Sequence, residues 1–264
     1  MPLPAQPGPQ DRLDVVLVAP RNPLNIGAVA RAMANFGLAR LTVVAPWAPH
    51  WREARSAVGA PRLLADAVEA ATLPEAVAAA TLVIGTGSLT YRKPEQPVVS
   101  LPDLAPLVAS ELHRGGRVVL VFGPEKHGLT REDLSYCHIL VTIPTDACQP
   151  SMNLGQAVAV CLYELAARAL PPPEPSAEPQ SELRPVPAAA PSQDLDLLAG
   201  LVEEAMTAAG YSPSAMRQAN RHDLRLLLRR LSLNPADLRR TLGLFRRILW
   251  RLRRSAASQS NPDD

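Results

Sequence analysis

The chain has 264 residues, 47% hydrophobic and only 4% aromatic, and its 27 basic against 25 acidic side chains leave a formal net charge of +2. That apolar content can fill one large core or two smaller ones, which excludes a wholly disordered chain. The opening MPLPAQPGPQDR lacks the basic and apolar parts of a secretory leader, no apolar run approaches about 18 residues, and Cys137, Cys148 and Cys161 show neither disulfide-framework nor metal-site spacing. The expectation is a soluble cytoplasmic protein with no membrane span and no metal, its cysteines being small buried or loop thiols.

LDVVLVA (Leu13 to Ala19) reads as a short β-branched strand buried on both faces. The loop PRNPLN then leads into a helix near Ile26 to Phe36, with Gly37 at its C-cap, and RLTVVAP (Arg40 to Pro46) is the next strand. The alternation continues through an Ala-rich helix (Leu73 to Ala80), TLVIGTGS (Thr81 to Ser88), a helix near Leu101 to His113, and RVVLVFG (Arg117 to Gly123). A short helix at Arg131 to Cys137, the strand HILVTIPT and a helix from about Asn153 to Leu170 complete it. Strands alternating with helices predict an α/β domain over residues 12–170 with a mostly parallel sheet, after an N-terminus, residues 1–11, expected to be disordered.

Residues 171–193 hold eight prolines among Ala, Ser and Glu, the composition of a linker that cannot bury enough surface to order itself. Beyond it, residues 194–254 predict a small all-helical domain, from LDLLAGLVEEAM, LRLLLRRL and LGLFRRILWRL, with Asn234 and Pro235 capping the last helix. The tail 255–264 is expected to be disordered. Twelve Arg against two Asp between Arg217 and Arg254 suggest a polyanionic partner, although a solvated bundle face or packing arginines give the same pattern.

Three constellations carry chemistry. In NIGAVARAMANFG, Asn25, Gly27 and Arg31 lie where the first strand hands over to a helix, and the four-residue step from Gly27 puts the Arg31 guanidinium on the same face. It could grip phosphate or stabilise a ribose oxygen, or be an ordinary surface arginine. LVFGPEKHGLTREDL ends a strand in a Gly-rich turn, where parallel sheets bind ligands. It contains neither a dinucleotide fingerprint nor a phosphate loop. In TIPTDACQPSMNLGQAVAVCLYEL, a strand ends in a loop with Ser151 and Asn153 before a helix, and Ser151 could be no more than its N-cap.

Taken together and in this order, N-x-G-x-x-x-R, F-G-x-E-x-x-G-L and S-M-N-x-x-x-A resemble the three motifs of the SpoU branch of the SPOUT RNA methyltransferases over residues 13–166. FGPEKHGLTREDLSYCH, the SMNLGQAVAV helix and the LNPADLRRTLGLFRRILWRL ending look like the TrmJ group within it. The resemblance implies a sheet with a deep trefoil knot, S-adenosylmethionine as methyl donor, a homodimer, and ribose 2′-O-methylation of tRNA at anticodon-loop nucleotide 32 (C or U). Alternatives are another tRNA position, an rRNA, or a catalytically silent RNA-binding relative.

Carried over by motif, Arg31, Asn25, Ser151 and Asn153 are the catalytic candidates. Thr86, Gly87, Ser88, Gly123, Ile143, Pro150, Ser151 and Met152 would form the cofactor pocket, and Glu125 reads as a structural neighbour rather than a proton acceptor. Met152 stands where Leu is common. Gly155 stands where Ala is common, at a helical cost of about 0.5 to 1 kcal/mol. Because a guanidinium is a poor base, Arg31 is expected to hold phosphate and stabilise the alkoxide while Ser151 or water relays the proton.

Overall fold

The computed structural model describes residues 9–87, 94–167, 189–211 and 216–259. β1 (Leu13–Val18) is buried along its whole length, Val15 and Leu17 entering the core on one face and Val16 and Val18 that on the other. A strand that must bury both faces needs cover on both, which the crossover helices of a parallel sheet supply. β1 is joined by β2 (Leu41–Val44), β3 (Val68–Ala70), β4 (Leu82–Thr86), β5 (Val98–Ser100), β6 (Val118–Phe122) and β7 (Ile139–Thr142). The sheet order is β3-β2-β1-β6-β4-β7-β5, and every described pairing is parallel.

On one face α1 (Pro23–Asn35), α2 (Pro61–Asp66), α4 (Leu104–His113) and α6 (Leu154–Ala167) pack around Leu17, Val29, Met33, Leu104, Leu120 and Leu162. On the other, α3 (Leu73–Ala76) and α5 (Arg131–Leu134) cover Val16, Val83, Val119 and Val121. The expected α/β domain with a parallel sheet is therefore observed.

Several boundaries differ from the expected ones. α1 starts at Pro23, inside the expected loop, because Asn22 Oδ1 accepts the Leu24 N–H at 2.9 Å and Pro23 fits the first turn. α3 stops at Ala76 instead of reaching Ala80, and the carbonyls of Ala78 and Ala80 accept from Gln193 and Ser192 on the returning chain. A 3-10 turn, Leu101–Asp103, precedes α4. α2 and the edge strands β3 and β5 were not anticipated; elements of three to six residues are too short to show a period.

At the C-terminus α7 (Ser192–Ala208), α8 (Arg217–Arg230) and α9 (Pro235–Gln259) pack around Leu195, Leu198, Leu228, Leu238 and Leu242. Asn234 caps α9, accepting from Ala236 and Asp237 at 2.9 and 3.0 Å. α7 begins within the stretch expected as linker, and α9 continues past Arg254 to Gln259. Residues 1–8, 168–188 and 260–264, on which most of the expected linker and part of the expected disordered ends fall, lie outside the described residues; the rest of those ends is ordered, Pro9–Arg12 as a 3-10 helix and 255–259 as the end of α9.

The basic helices do not all face solvent. Arg229 is 2% exposed, donates to the Tyr136 carbonyl (3.1 Å), Ser192 Oγ (3.1 Å) and Asp196 (2.9 Å), and so ties the helical bundle to the sheet domain. Arg225, also buried, reaches Glu132 and Ser135 at 2.9 Å with its guanidinium over the Tyr136 ring. Burial and the Arg229 charge hold the neighbouring His138 imidazole down to about 3. That ring is therefore neutral and accepts the Val83 N–H at 3.0 Å.

Candidate active site at the carboxyl edge of the sheet

The carboxyl ends of three adjacent strands, β6, β4 and β7, open into a cavity of about 560 Å³. Crevices at this edge are where open parallel sheets bind ligands, since the strand ends present free backbone groups there. Thr86, Gly87, Gly123, Ile143, Pro150, Ser151 and Met152 all line it, so the structure brings seven of the expected cofactor residues together. Ser88 lies outside the described residues. Leu129, Leu140, Thr142, Thr145 and Asp146 line it as well. Sequence reasoning missed these five, although all stand on or beside the strand ends and turns it had marked.

The Gly-rich turn after β6 is shaped by close backbone contact. A Cβ on Gly123 would stand 2.2 Å from the Leu129 amide nitrogen, and Gly128 adopts a φ of +64°. Thr86 turns its hydroxyl into the sheet, donating to the Val121 carbonyl at 3.0 Å. Its place on the cavity wall is thereby fixed.

On the cavity wall, Glu125 joins the first and second motifs. It accepts from the Arg21 and Asn22 backbone N–H groups at 3.1 and 3.2 Å and from Asn25 Nδ2 at 2.8 Å. Burial pushes its carboxyl up, but the bonds from Asn25, its own backbone, Arg21 and Asn22 outweigh this and hold it below its ordinary value. Glu125 is thus an ionised anchor, in the structural role expected of it.

Asn25 in turn accepts from Asn153 Nδ2 at 3.0 Å, which brings in the third motif. Asn153 Oδ1 accepts from Gly155 and Gln156 N–H groups at 2.9 and 3.4 Å, so Asn153, not Ser151, caps α6. The expected cap was Ser151; Asn153, the residue next to the first helical position, takes that place instead, since Asn caps helices as well as Ser does. Ser151 is exposed at the cavity mouth, and its hydroxyl makes no hydrogen bond among the described residues.

Arg31 is exposed on α1, one turn beyond Gly27, and its side chain makes no ion pair among the described residues. Gly27 itself serves the fold: a Cβ there would meet Ser56 Oγ at 2.2 Å and the Ala57 nitrogen at 2.9 Å. Gly155 lets α6 cross α1, since its Cβ would stand 2.8 Å from that of Ala28. The helix carrying Asn25 and Arg31 is thus fixed on two sides by glycine contacts.

Among the described residues no helix is long and apolar enough to cross a membrane. Glu95, His222 and Asp223 bring ligand-type atoms within 4.8 Å of one another. The exposed Arg131 guanidinium donates there to His222 (3.3 Å) and Glu95 (3.5 Å), placing a cation in the cluster.

The SpoU rRNA Methylase family model matches residues 12–163. A tRNA (cytidine/uridine/adenosine-2′-O-)-methyltransferase TrmJ of Pseudomonas aeruginosa is 41% identical over 156 residues, 59% of this chain and 60% of that protein. The tRNA (cytidine/uridine-2′-O-)-methyltransferase TrmJ of Escherichia coli K12 is 32% identical over 236 residues, covering 89% of this chain and 92% of that one. The crystal structure of TrmJ from Z. mobilis ZM4 superposes with a TM-score of 0.74 at 31% identity, covering 89% of this chain and 98% of that one.

Proposed function

The chain belongs to the SpoU rRNA methylase family, and on that premise we propose that it transfers the methyl group of S-adenosylmethionine to a ribose 2′-hydroxyl of tRNA. The observation that carries this reading is the meeting of all three motifs at one place: the strand-end cavity with the Asn25, Glu125 and Asn153 network at its side.

The residues present suit the donor. A cavity of about 560 Å³ falls in the range of roughly 300 to 1,000 Å³ usual for cofactor sites. Its walls combine the apolar Leu129, Leu140, Ile143 and Met152, fit for an adenine plane, with the polar Thr142, Thr145 and Asp146, fit for ribose and amino-acid ends. When bound, S-adenosylmethionine supplies a methyl group activated by its sulfonium.

The chain's own part is to place and prepare the ribose. Positioning contributes much to an in-line transfer, and the fixed α1–α6 crossing holds the reacting side chains in one frame. Arg31, exposed and unpaired among the described residues, holds an RNA phosphate and stabilises the oxyanion that develops on the 2′-oxygen. Ser151 passes the hydroxyl proton on to water. Asn25 and Asn153 act as positioning residues, since their amides are already committed to Glu125, to α6 and to one another.

The finer assignments rest on the resemblance and on surface chemistry. The target is nucleotide 32 of the anticodon loop, in C or U, and the protein works in the cytoplasm. It acts as a homodimer, which the exposed Leu24, Val160 and Tyr163 on the adjoining helices α1 and α6 support, because pairing would cover them. The segment from β7 through Ser151 into α6 threads the family's knot. Ribose-methylation mapping of total tRNA and rRNA after incubation with enzyme and donor tests this reading. A new 2′-O-methyl at tRNA position 32 is expected, and one only in rRNA or at another tRNA position would reassign the substrate.

A further inference from the structure

Trp47 has no evident use in the fold. With 74% of its surface open it contrasts with Trp51, which is fully buried with its Nε1 bonded to Glu69. Exposing an indole is unfavourable. β1 and β2 are each followed by a non-glycine residue at positive φ, Ala19 at 43° and Ala45 at 44°, a conformation that costs energy and persists only where surrounding bonds enforce it. Those bonds are present: Ala19 N–H to the Val44 carbonyl at 2.8 Å and Ala45 N–H to the Ala70 carbonyl at 3.1 Å.

The twin turns bring two side chains together. Trp47 N–H donates to the Pro20 carbonyl at 3.2 Å, and the Arg21 guanidinium stands 5.3 Å from the indole centroid. Arg21 is also held through its own N–H on Glu125, the anchor of the active-site network. A cation beside an exposed aromatic ring is therefore coupled by one residue to the catalytic motifs.

Its place on the sheet gives it a role. All strands are parallel, so the ends of β1 and β2 lie on the same edge as the cavity over β6, β4 and β7. From β2 to β6 is two strand spacings, about 10 Å. Extended single-stranded RNA with its target ribose at the cavity mouth would cross β1 and arrive over Trp47.

We propose that Arg21 and Trp47 form a stacking platform for a nucleobase beside the methylated nucleotide, the indole taking the base and the guanidinium the adjoining phosphate. The inference rests on the RNA-methylating reading above. Aromatic stacking suits any base, so the platform contributes affinity and orientation rather than sequence choice.

The test is affinity of the full-length protein for unmodified total tRNA by filter retention, for wild type, Trp47→Ala and Trp47→Phe, with the dissociation constant for S-adenosylmethionine and thermal unfolding measured alongside. Trp47→Ala should bind tRNA about tenfold more weakly, and Trp47→Phe should recover most of that loss. Donor affinity and melting temperature should stay at wild-type values, because the side chain is exposed and outside the cavity. Equal tRNA affinity of Trp47→Ala and wild type overturns the platform, as does a loss that Phe fails to recover. Binding is read whether or not methyl is transferred, so a wild type that binds tRNA without methylating it counts against the activity reading alone.

Discussion

The Asn153 side chain donates to Asn25 Oδ1 at 3.0 Å while its own oxygen caps α6, so a single amide joins the loop after β7 to the helix after β1. The two functions separate chemically. Asn153→Asp keeps the capping oxygen and loses the donor, and it adds charge near Glu125. It should unfold close to the wild-type temperature yet lose about tenfold or more in kcat. Asn153→Ala should lose activity and also about 1 kcal/mol of stability. Equal activity of Asn153→Asp and wild type would show that the link to Asn25 is dispensable.

Glu125 carries a pH signature. Its folded-state pKa lies below the ordinary 4.5, so it adds stability at pH values above 4.5 and loses it as pH falls through the folded value. Glu125→Gln should therefore melt below wild type near about pH 7, with the gap narrowing as pH is lowered below 4.5. A gap of constant size over that window would mean that the charge does not contribute.

Gly155 reverses what helix propensity alone suggests. Replacing a helical Gly by Ala should gain about 0.5 to 1 kcal/mol, but here the new Cβ would press on Ala28 at 2.8 Å. Overpacking of this kind costs about 1 to 3 kcal/mol. Gly155→Ala should melt lower and show reduced kcat, because α1 carries Asn25 and Arg31. A higher melting temperature would show that the crossing can yield.

Seven of the C-terminal arginines show two different settings. Arg221, Arg225 and Arg229 are engaged by Glu203, Glu132 and Asp196, whereas Arg230, Arg239, Arg246 and Arg251 are exposed with no ion pair among the described residues. Removing Arg246 and Arg251 together should weaken tRNA binding and reduce its salt dependence by about one unit of slope for each charge. Arg229→Met should mainly destabilise, by about 3 kcal/mol, since it strands Asp196 at the junction with the sheet domain. A lower melting temperature without a changed salt slope is the expected result for that variant. A lower salt slope would place Arg229 on RNA.

How much of this is visible in the chain follows from what each residue must satisfy. β1, β4 and β6 bury both faces and therefore show as continuous apolar runs, while β3 and β5 are three-residue edge strands with no room for a pattern. The cavity was legible because glycine turns follow its strands. The cap of α6 was read as Ser151 and is Asn153, because both residue types cap helices and the helix start is legible only to within a few residues. Arg229 looked like the exposed arginines beside it because its partners, Tyr136 and Asp196, are distant in sequence. Gly155 looked like a lapse in a helix because Ala28, which explains it, lies on another one.

The most direct measurement is methyl transfer from labelled S-adenosylmethionine to unmodified tRNA by wild type and Arg31→Ala, each first shown to bind the donor, followed by mapping of the labelled ribose. The account predicts label at a single anticodon-loop 2′-oxygen with wild type, and a loss of at least about a hundredfold with Arg31→Ala at unchanged donor affinity. Transfer by Arg31→Ala at the wild-type rate, or label on a base instead of a ribose, would contradict it.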